Sequence, residues 1–511
     1  MSLKLKDRVD GWANPLLIRE MYQSLHSKKF LAALWLLLLV SLMTYVLAYL
    51  GSGSGGECGD DMFVVFSVCM AIVGVVVIPY LAFSNLYEEI KSGTIELVQI
   101  TRLHAKRHVR GRLLAAVVKT GLLVALMGPF AVAAFLFHGI GVGQILATLA
   151  VISVVSLFAV SVAIFFAALT SLRYFRTLGR LIHILLQVGA VLMIVQMGVG
   201  AGYLFRDIAG ELNHIVIFVA ILGLMSLLWS LFLCACSANI LTFEANKSSV
   251  APKCWLLLII VISQGVGLGI MAAQGGYSDE TALFFVVTTL IPLTICATVW
   301  MLDKQGTSAR QDLEIEKSGR TYSFLLFPFT DGPGAGGVYF TLACGLILLE
   351  LWSGAALLLL RSFEFLPIFA LTWVFWVYGG YLAYQARAIG ALIPQKWRNT
   401  SGRRIVLLVC IVAHLAAGLI FIVLFESGMG HFSFEADNPI LGAFPVAYAV
   451  EVTDYAEPLD VFWGTIFPAV ITVVCVIIFA VRDLEILMRH RSDLRLKTGV
   501  ETDKSPAESS S

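Results

Sequence analysis

The sequence predicts an all-α integral membrane protein, a polytopic bundle of about twelve transmembrane helices with both termini in the cytoplasm. Composition is the first reason: of 511 residues, 59% are hydrophobic and only 14% are charged, and the mean hydropathy is +0.88. Soluble proteins carry about 25% charged residues, so this chain has too few charges to cover a soluble surface. The second reason is the pattern of apolar stretches, and the third is the distribution of basic residues between them.

Apolar stretches that are long enough to cross a bilayer as helices, roughly 20 residues each, recur along the whole chain. They comprise residues 29–50, 62–86, 113–138, 142–170, 180–204, 214–238, 254–275, 281–302, 337–360, 363–386, 404–425 and 460–482. The connections between them contain no soluble domain, and the longest are 303–336, 387–403 and 426–459.

Basic residues are distributed very unevenly between alternate connections. Of the 35 Lys and Arg residues, 32 fall on the side of the N-terminus, Arg206 and Arg361 fall on the other side, and Lys119 lies within a span. Because Lys and Arg favour cytoplasmic connections, both termini are predicted to be cytoplasmic in a multi-pass protein of the cell's inner (plasma) membrane. The net charge of only +1 excludes a nucleic-acid binder that depends on bulk charge.

The number of spans divides the chain into two blocks of six. Residues 1–250 and 251–497 are the predicted membrane domains, and the Ser/Glu-rich tail 498–511 is predicted to be disordered. The nine cysteines lack metal-ligand spacing and no phosphate-binding loop occurs. The chain is therefore predicted to hold no metal or cofactor and not to be an enzyme.

The first block begins with an N-terminal segment, residues 14–29, that has the pattern of an amphipathic helix. Asn14 is a favourable N-cap residue, and Pro15 fits the first helical position. Apolar and polar residues then alternate in pairs up to Lys28 and Lys29, where the first span begins. The segment is predicted to lie as a helix in the membrane interface.

The cytoplasmic connection 87–112 is the most informative one. Glu88 and Glu89 end the second span. Gly93 then breaks the helix, and Thr94 can cap a short helix that follows. A basic stretch leads from there into the third span. Such a segment suits docking on another protein, and the alternative is an interfacial loop that its Arg and Lys residues hold on anionic lipid.

Two groups of residues in the first block resemble type-2 ABC exporter permeases. Asn14-Pro15 followed by Arg19-Glu20 is similar to the beginning of those permeases. The second group is similar to their cytoplasmic segment E…GT-x-E-L-L-x-x-T-P-L-S…G-K and comprises Glu89, Gly93, Thr94, Glu96, Leu97, Thr101, Leu103, Gly111 and Arg112. The resemblance covers about residues 10–240. Arg102 and His104 depart from it, because the family has Pro and Ser at these positions.

The resemblance implies the membrane-spanning permease of an ATP-driven exporter, whose cytoplasmic segment sits in a cleft of a separate ATPase subunit. It assigns coupling to Glu88, Glu89, Gly93, Thr94, Glu96, Leu97, Thr101, Arg102, Gly111 and Arg112. It assigns the orientation of the N-terminal helix to Asn14, Pro15, Arg19 and Glu20. The implied partners are the ABC ATPase subunit and the lipid bilayer, with no nucleic acid; a homodimer or a second permease is left open.

Ionisable residues inside the spans are candidates for a transport path, because charges in hydrocarbon are costly. Lys119 and Glu350 are the candidates for this polar path, and the Lys119 ammonium is expected to reach towards the inner surface. His183 and His414 are predicted to be packing residues. His104 and His108 are four residues apart, but Lys106, Arg107 and Arg110 surround them, so they are interpreted as part of a basic docking face rather than as metal ligands.

Two other functions fit twelve spans. A secondary transporter driven by an ion gradient would be built from two blocks of six, but it predicts paired charges near the middle of the membrane, and the sequence shows isolated ones. A membrane scaffold that transports nothing would tolerate the loss of Lys119 and Glu350.

Overall fold

The computed structural model describes residues 19–20, 22, 26–51, 58–94, 105–137, 141–171, 176–208, 212–242, 249–274, 286–301, 327–330, 333–357, 366–392, 406, 409 and 469–485. Nearly all of these residues are helical, and no strand occurs among them. Six helices in this part of the chain are long and apolar enough to cross a membrane. They comprise Phe30–Leu50, Met62–Lys91, Ala105–Leu136, Val142–Leu169, Val219–Ile240 and Val250–Ile270.

These helices indicate a membrane-embedded α-helical protein, as the sequence predicts. The count of twelve spans stays a prediction. Apart from residues 406 and 409, the predicted span 404–425 lies outside the described residues, and so does the tail 498–511. The chain forms two compact units, Met1–Phe243 and Glu244–Ser511.

Unit 1 contains six described helices. They are α1 (Lys28–Gly51), α2 (Cys58–Ala71, the π-helical turn Ile72–Val77 and Ile78–Lys91), α3 (Ala105–Leu136), α4 (Val142–Leu169), α5 (Arg176–Ile208) and α6 (Leu212–Ile240). Helix α4 is central and packs most extensively against α6 and the last part of α2. The apolar core lies where these helices meet α3, and Leu86, Leu123 and Ile164 are completely buried in it.

The π-helical turn Ile72–Val77 interrupts α2 in the middle of this core. A π turn widens the helix and weakens the regular backbone hydrogen bonding, which is costly where no water can replace it. Ser156 of α4 compensates, because its hydroxyl donates a hydrogen bond of 2.7 Å to the carbonyl oxygen of Gly74. The Thr120 hydroxyl of α3 lies 3.3 Å from the Ser156 hydroxyl. Three helices therefore share one small polar contact inside the core.

Unit 2 contains five described helices and one short turn. They are α7 (Val250–Gln274), α8 (the π-helical turn Val286–Leu290 and Ile291–Met301), the 3₁₀ turn Phe327–Phe329, α9 (Pro333–Leu357), α10 (Leu366–Leu392) and α11 (469–485). Helix α9 packs against α7, α8 and α10.

The first turns of α9 approach three other helices at glycines. A Cβ atom on Gly334 would collide with the backbone of Phe479 in α11, and one on Gly336 would lie 2.9 Å from the backbone nitrogen of Met301 in α8. A Cβ atom on Gly337 would collide with the hydroxyl of Tyr384 in α10. Only glycine fits this contact, since the obstacles at two of the three positions are backbone atoms.

The connection between α2 and α3 is shorter than the sequence predicts. Hydropathy places it at 87–112, whereas α2 continues to Lys91 and α3 begins at Ala105. Helical hydrogen bonds do not require apolar side chains, so both helices extend beyond their apolar parts. Gly93, with a φ angle of +74°, ends α2 in a conformation that glycine adopts readily.

Candidate functional site

Five charged or titratable side chains from three segments of unit 1 meet in one ion-pair network. Arg19 and Glu20 come from the N-terminal segment, Glu89 comes from the last turn of α2, and His108 and Arg112 come from the beginning of α3. We call these five residues the Glu89 network. It contains four of the site residues that the sequence predicts, and it adds His108.

Arg112 is the centre of the network. Its Nη2 atom lies 2.7 Å from Oε2 of Glu89 and 3.2 Å from Oε1 of Glu20. The exposed side-chain fractions are 3% for Arg112, 8% for Glu20 and 13% for Glu89, so these charges are almost removed from water. A buried guanidinium that bridges two carboxylates leaves none of the three charges unpaired, and loss of any one would expose the cost of burying the others.

Arg19 binds the same glutamate from the outside. Its Nη2 atom donates a hydrogen bond of 3.1 Å to Oε1 of Glu89, and its side chain is 45% exposed. One carboxylate thus bridges an exposed and a buried guanidinium. The N-terminal segment is attached to the helix bundle twice, through Arg19 to Glu89 and through Glu20 to Arg112.

His108 completes the network and corrects an expectation. The sequence assigns it to a basic docking face, but its side chain is only 5% exposed and so cannot line such a face. Its Nε2 atom accepts a hydrogen bond of 3.2 Å from Nε of Arg112 and lies 3.5 Å from Oε2 of Glu89. Positions 108 and 112 are one helical turn apart and share the inner face of α3, whereas Lys106 and Arg110 are exposed.

Two more polar residues lie on the inner face of α3, beyond the buried Ala115 and Ala116. Lys119 lies on it and is 4% exposed, so this side chain is buried between helices instead of extending to the surface as predicted. Thr120 follows it and contacts Ser156. Lys119 and Thr120 are thus buried polar residues between the Glu89 network and the π-helical turn of α2, separated from the network by one apolar turn.

A cavity of about 470 Å³ lies beside the network. Its lining from α2 and the residue that follows this helix comprises Leu81, Asn85, Glu88 and Ser92. Its lining from the N-terminal part of the chain comprises Arg19 and Ser27. Glu88 is exposed there, and its carboxylate lies 3.5 Å from the Ser84 hydroxyl. The cavity separates the N-terminal segment from α2 next to the point where Arg19 joins them.

The remaining predicted residues of the connection are only partly described. Gly93 has the positive φ angle noted above, and the Thr94 hydroxyl lies 2.6 Å from the Ser92 hydroxyl. Gly111 is buried within α3. The other predicted site residues of this region lie outside the described residues: Asn14, Pro15, Glu96, Leu97, Thr101 and Arg102.

Two further predicted residues lie elsewhere. Glu350 is half-buried in α9 of unit 2. His183 in α5 is buried, and its ring stacks on that of Phe83 with 4.1 Å between centroids. This stacking is the environment of a packing residue. His414 lies outside the described residues.

Unit 2 contains a second buried charge that the sequence analysis does not single out. Lys253 near the start of α7 is completely buried, and its Nζ atom donates hydrogen bonds to the carbonyl oxygens of Pro328 and Thr330, at 3.0 and 2.7 Å. The ammonium also lies 5.3 Å from the ring centroid of Trp300 and 5.7 Å from that of Tyr339. We call these five residues the Lys253 cluster.

Two other charged side chains of unit 2, Arg387 and Asp483, form hydrogen bonds with backbone atoms at helix ends. Nη1 of Arg387 in α10 donates a hydrogen bond of 3.2 Å to the carbonyl oxygen of Met301, the last residue of α8. The amide of Gly334 in the first turn of α9 donates one of 2.7 Å to Oδ2 of Asp483 in α11. The acceptors are a carbonyl at a helix C-terminus and a carboxylate at a helix N-terminus, which is the favourable arrangement for both.

Metal chemistry is not indicated by the described part of the chain, where no three His, Cys, Asp or Glu side chains lie close enough to hold an ion. Comparison with known proteins adds no relative: no family model matches the chain, and neither a curated protein nor a solved structure matches it.

Proposed function

We propose that the chain is the membrane-spanning permease of an ATP-driven exporter, and that its connection between α2 and α3 binds a separate ATPase subunit. The observation that carries this proposal is the Glu89 network. It joins the residues on both sides of that connection, Glu89 and Arg112, to the N-terminal segment. A partner that moves the connection would therefore move the ends of two membrane helices and the segment before α1 together.

The network suits the transmission of force because the pairs of Arg112 with Glu20 and Glu89 are short and buried. Such pairs hold one geometry and separate as a whole, since a half-separated buried charge is costly. A movement imposed at residues 92–104 would either carry α2 and α3 as one body or break the contacts of Arg112. Transitions between two packed arrangements of this kind are the usual basis of conformational switching.

The distribution of basic residues supports the orientation. If the N-terminus lies on the cytoplasmic side of the inner membrane, the connection between α2 and α3 lies on the same side, where ATP is hydrolysed. Lys119 and Thr120, which are buried on the inner face of α3, then lie deeper in the unit than the Glu89 network. We propose this face as part of the path along which access changes. Twelve spans without a large outer domain suit lipids, hydrophobic compounds or peptides as substrates.

Co-purification tests the proposal. The full chain carries a C-terminal tag, native membranes are solubilised mildly, and the bound proteins are identified by mass spectrometry. We expect a phosphate-loop ATPase to bind the wild-type chain, and its ATP hydrolysis to increase on binding. The result that overturns the proposal is the absence of any such ATPase, or an ATPase whose hydrolysis does not respond to the chain.

Two variants connect this test to the network. Arg19→Glu reverses the exposed charge beside Glu89 and is expected to reduce the stimulation of ATP hydrolysis at least about threefold, on the scale of an exposed ion pair. Arg176→Gln removes an exposed charge at the start of α5 and serves as the matched control. Equal stimulation by the Arg19→Glu variant and the control would show that the network does not take part in coupling.

A further inference from the structure

One nitrogen atom of His108, Nε2, faces two partners. Nε2 accepts a hydrogen bond from Nε of Arg112 at 3.2 Å and lies 3.5 Å from Oε2 of Glu89. An imidazole nitrogen either accepts a hydrogen bond through its lone pair or donates one through its proton, so the two contacts exclude each other. The ring's other nitrogen, Nδ1, is buried and has no hydrogen-bond partner among the described residues.

Each protonation state of His108 selects one partner. When the ring is neutral, Nε2 fixes the Arg112 guanidinium, and the network holds two positive and two negative charges. When the ring is protonated, Nε2 can only donate to Glu89, the Arg112 contact is lost, and a third positive charge lies beside Arg112. The imidazolium then competes with Arg112 for the carboxylate that both of them need.

We propose that His108 is a positioning residue, which holds the Arg112 guanidinium across Glu20 and Glu89 and releases it when the imidazole takes up a proton. As a regulation of coupling, this rests on the proposed function. A proton on this ring would therefore loosen the N-terminal segment from α2 and α3, and would uncouple the connection from the helices.

Three segments bring charges into contact with His108 or its partners: the N-terminal segment brings Arg19 and Glu20, α2 brings Glu89, and α3 brings Arg112. The other described charged side chains of the helices in unit 1 are Lys28 in α1, Glu88 and Lys91 in α2, Lys106, Arg107, Arg110 and Lys119 in α3, and Arg176 and Arg180 in α5. Helix α4 contains no charged residue. Among the described residues, the only carboxylate within 4.0 Å of the ring is that of Glu89.

Amide hydrogen exchange of the N-terminal segment tests this without any ATPase. The full chain is reconstituted in phosphatidylcholine nanodiscs, and exchange at residues 14–27 is measured at pH 8.0 and 5.5, corrected for the intrinsic effect of pH. Loss of the Arg112 contact is expected to raise the corrected exchange rate about tenfold at the lower pH, the scale of one hydrogen bond to a charged group.

Two glutamine variants make the experiment specific. His108→Gln places an amide at the position of Nε2, where its oxygen accepts from Arg112 but takes up no proton; exchange should then stay slow at both pH values. His26→Gln is the matched control, because His26 is exposed and its Nδ1 lies 2.9 Å from the Tyr22 carbonyl oxygen in the same segment. This control should respond to pH as the wild type does.

Three results would overturn the inference: no response in the wild type, an unchanged response in His108→Gln, or a response abolished by His26→Gln. Failure of the proposed function is a separate outcome. If acidification releases the segment through His108 but no ATPase binds the chain, the positioning role stands and the exporter proposal falls.

Discussion

Unit 1 and unit 2 both bury charges near helix ends, but they satisfy them in different ways. In the Glu89 network, side-chain charges pair with side-chain charges from three separate segments. In the Lys253 cluster, the ammonium binds backbone carbonyl oxygens and aromatic faces. Arg387 and Asp483 of unit 2 likewise bind backbone atoms.

The two kinds of contact differ in how easily solution conditions or a partner protein can change them. Contacts between side-chain charges depend on protonation, on salt and on competing charges, and a partner protein can take them over. Contacts with backbone atoms persist as long as the helix ends do not move, because backbone carbonyl and amide groups do not gain or lose a charge when the pH changes. We therefore interpret the Glu89 network as the adjustable contact of unit 1 and the Lys253 cluster as a fixed joint within unit 2.

The largest expected effect is that of Arg112→Gln, which breaks the adjustable contact at its centre. The change leaves Glu20 and Glu89 buried without their shared cation, and removal of one partner from a buried ion pair typically costs about 3–5 kcal/mol. Denaturation in mixed micelles measures this loss in free energy of unfolding. Arg176→Gln is the control, and a loss below about 1 kcal/mol, the value of a surface pair, would contradict the buried network.

The next largest effect is expected from Lys253→Met, which tests the fixed joint. Methionine keeps the length and apolar stem, but the carbonyl oxygens of Pro328 and Thr330 lose their donor, at about 1–3 kcal/mol for each unsatisfied buried group. The same denaturation assay reports it, with Lys28→Met as the exposed control. If the variant is as stable as the control, the ammonium does not hold the turn.

A smaller effect is expected from Gly334→Ala, which tests whether the helix contact beside that joint is rigid. The added Cβ atom meets backbone atoms of α11, and overpacking of this kind typically costs about 1–3 kcal/mol. Gly345→Ala is a matched control in the same helix, because a Cβ atom there meets nothing within 4 Å. This control should be neutral or more stable by up to about 1 kcal/mol. Equal midpoints of thermal unfolding for the two variants would refute the close contact.

The smallest effect on stability is expected from Arg19→Gln. Its guanidinium is 45% exposed, and exposed ion pairs contribute about 1 kcal/mol or less. Raising the salt concentration should weaken the wild-type contact in the same way, because exposed charges are screened. A loss as large as that of Arg112→Gln in the denaturation assay would show that both guanidiniums are equally buried in solution, and the distinction within the network would disappear.

The helical membrane class follows from the sequence because apolar runs of this length have few other stable forms. The members of the Glu89 network are harder to bring together. Arg19, Glu20, Glu89 and Arg112 are named as candidates through a family resemblance, yet Arg19 and Glu89 are 70 positions apart and no local spacing joins them. Their contact is now described, whereas their role in coupling is still a prediction.

Other features show why local patterns are insufficient. The basic neighbours of His108 lie at exposed positions, and this pattern indicates a docking face. The spacing of four residues between His108 and Arg112 indicates instead that both lie on one inner face of α3. Lys253 gives no such signal, because its partners are backbone carbonyls at Pro328 and Thr330 and rings that lie far along the chain. Only tertiary packing brings such groups together.

The π-helical turn in α2 has a consequence for the angular phase of that helix. Each residue of an α-helix advances by 100°, so the one additional residue in a π turn rotates everything after it by about that angle. The residues after the π-helical turn therefore lie on a different side of α2 from the side that an uninterrupted α-helix would give them. This offset sets the direction of the charged last turn relative to the first half of the helix. Glu89 points at Arg112 because of an insertion some four turns earlier, and deletion of one residue from Ile72–Val77 would aim the carboxylate at a different neighbour while every side chain of the network stayed in the sequence.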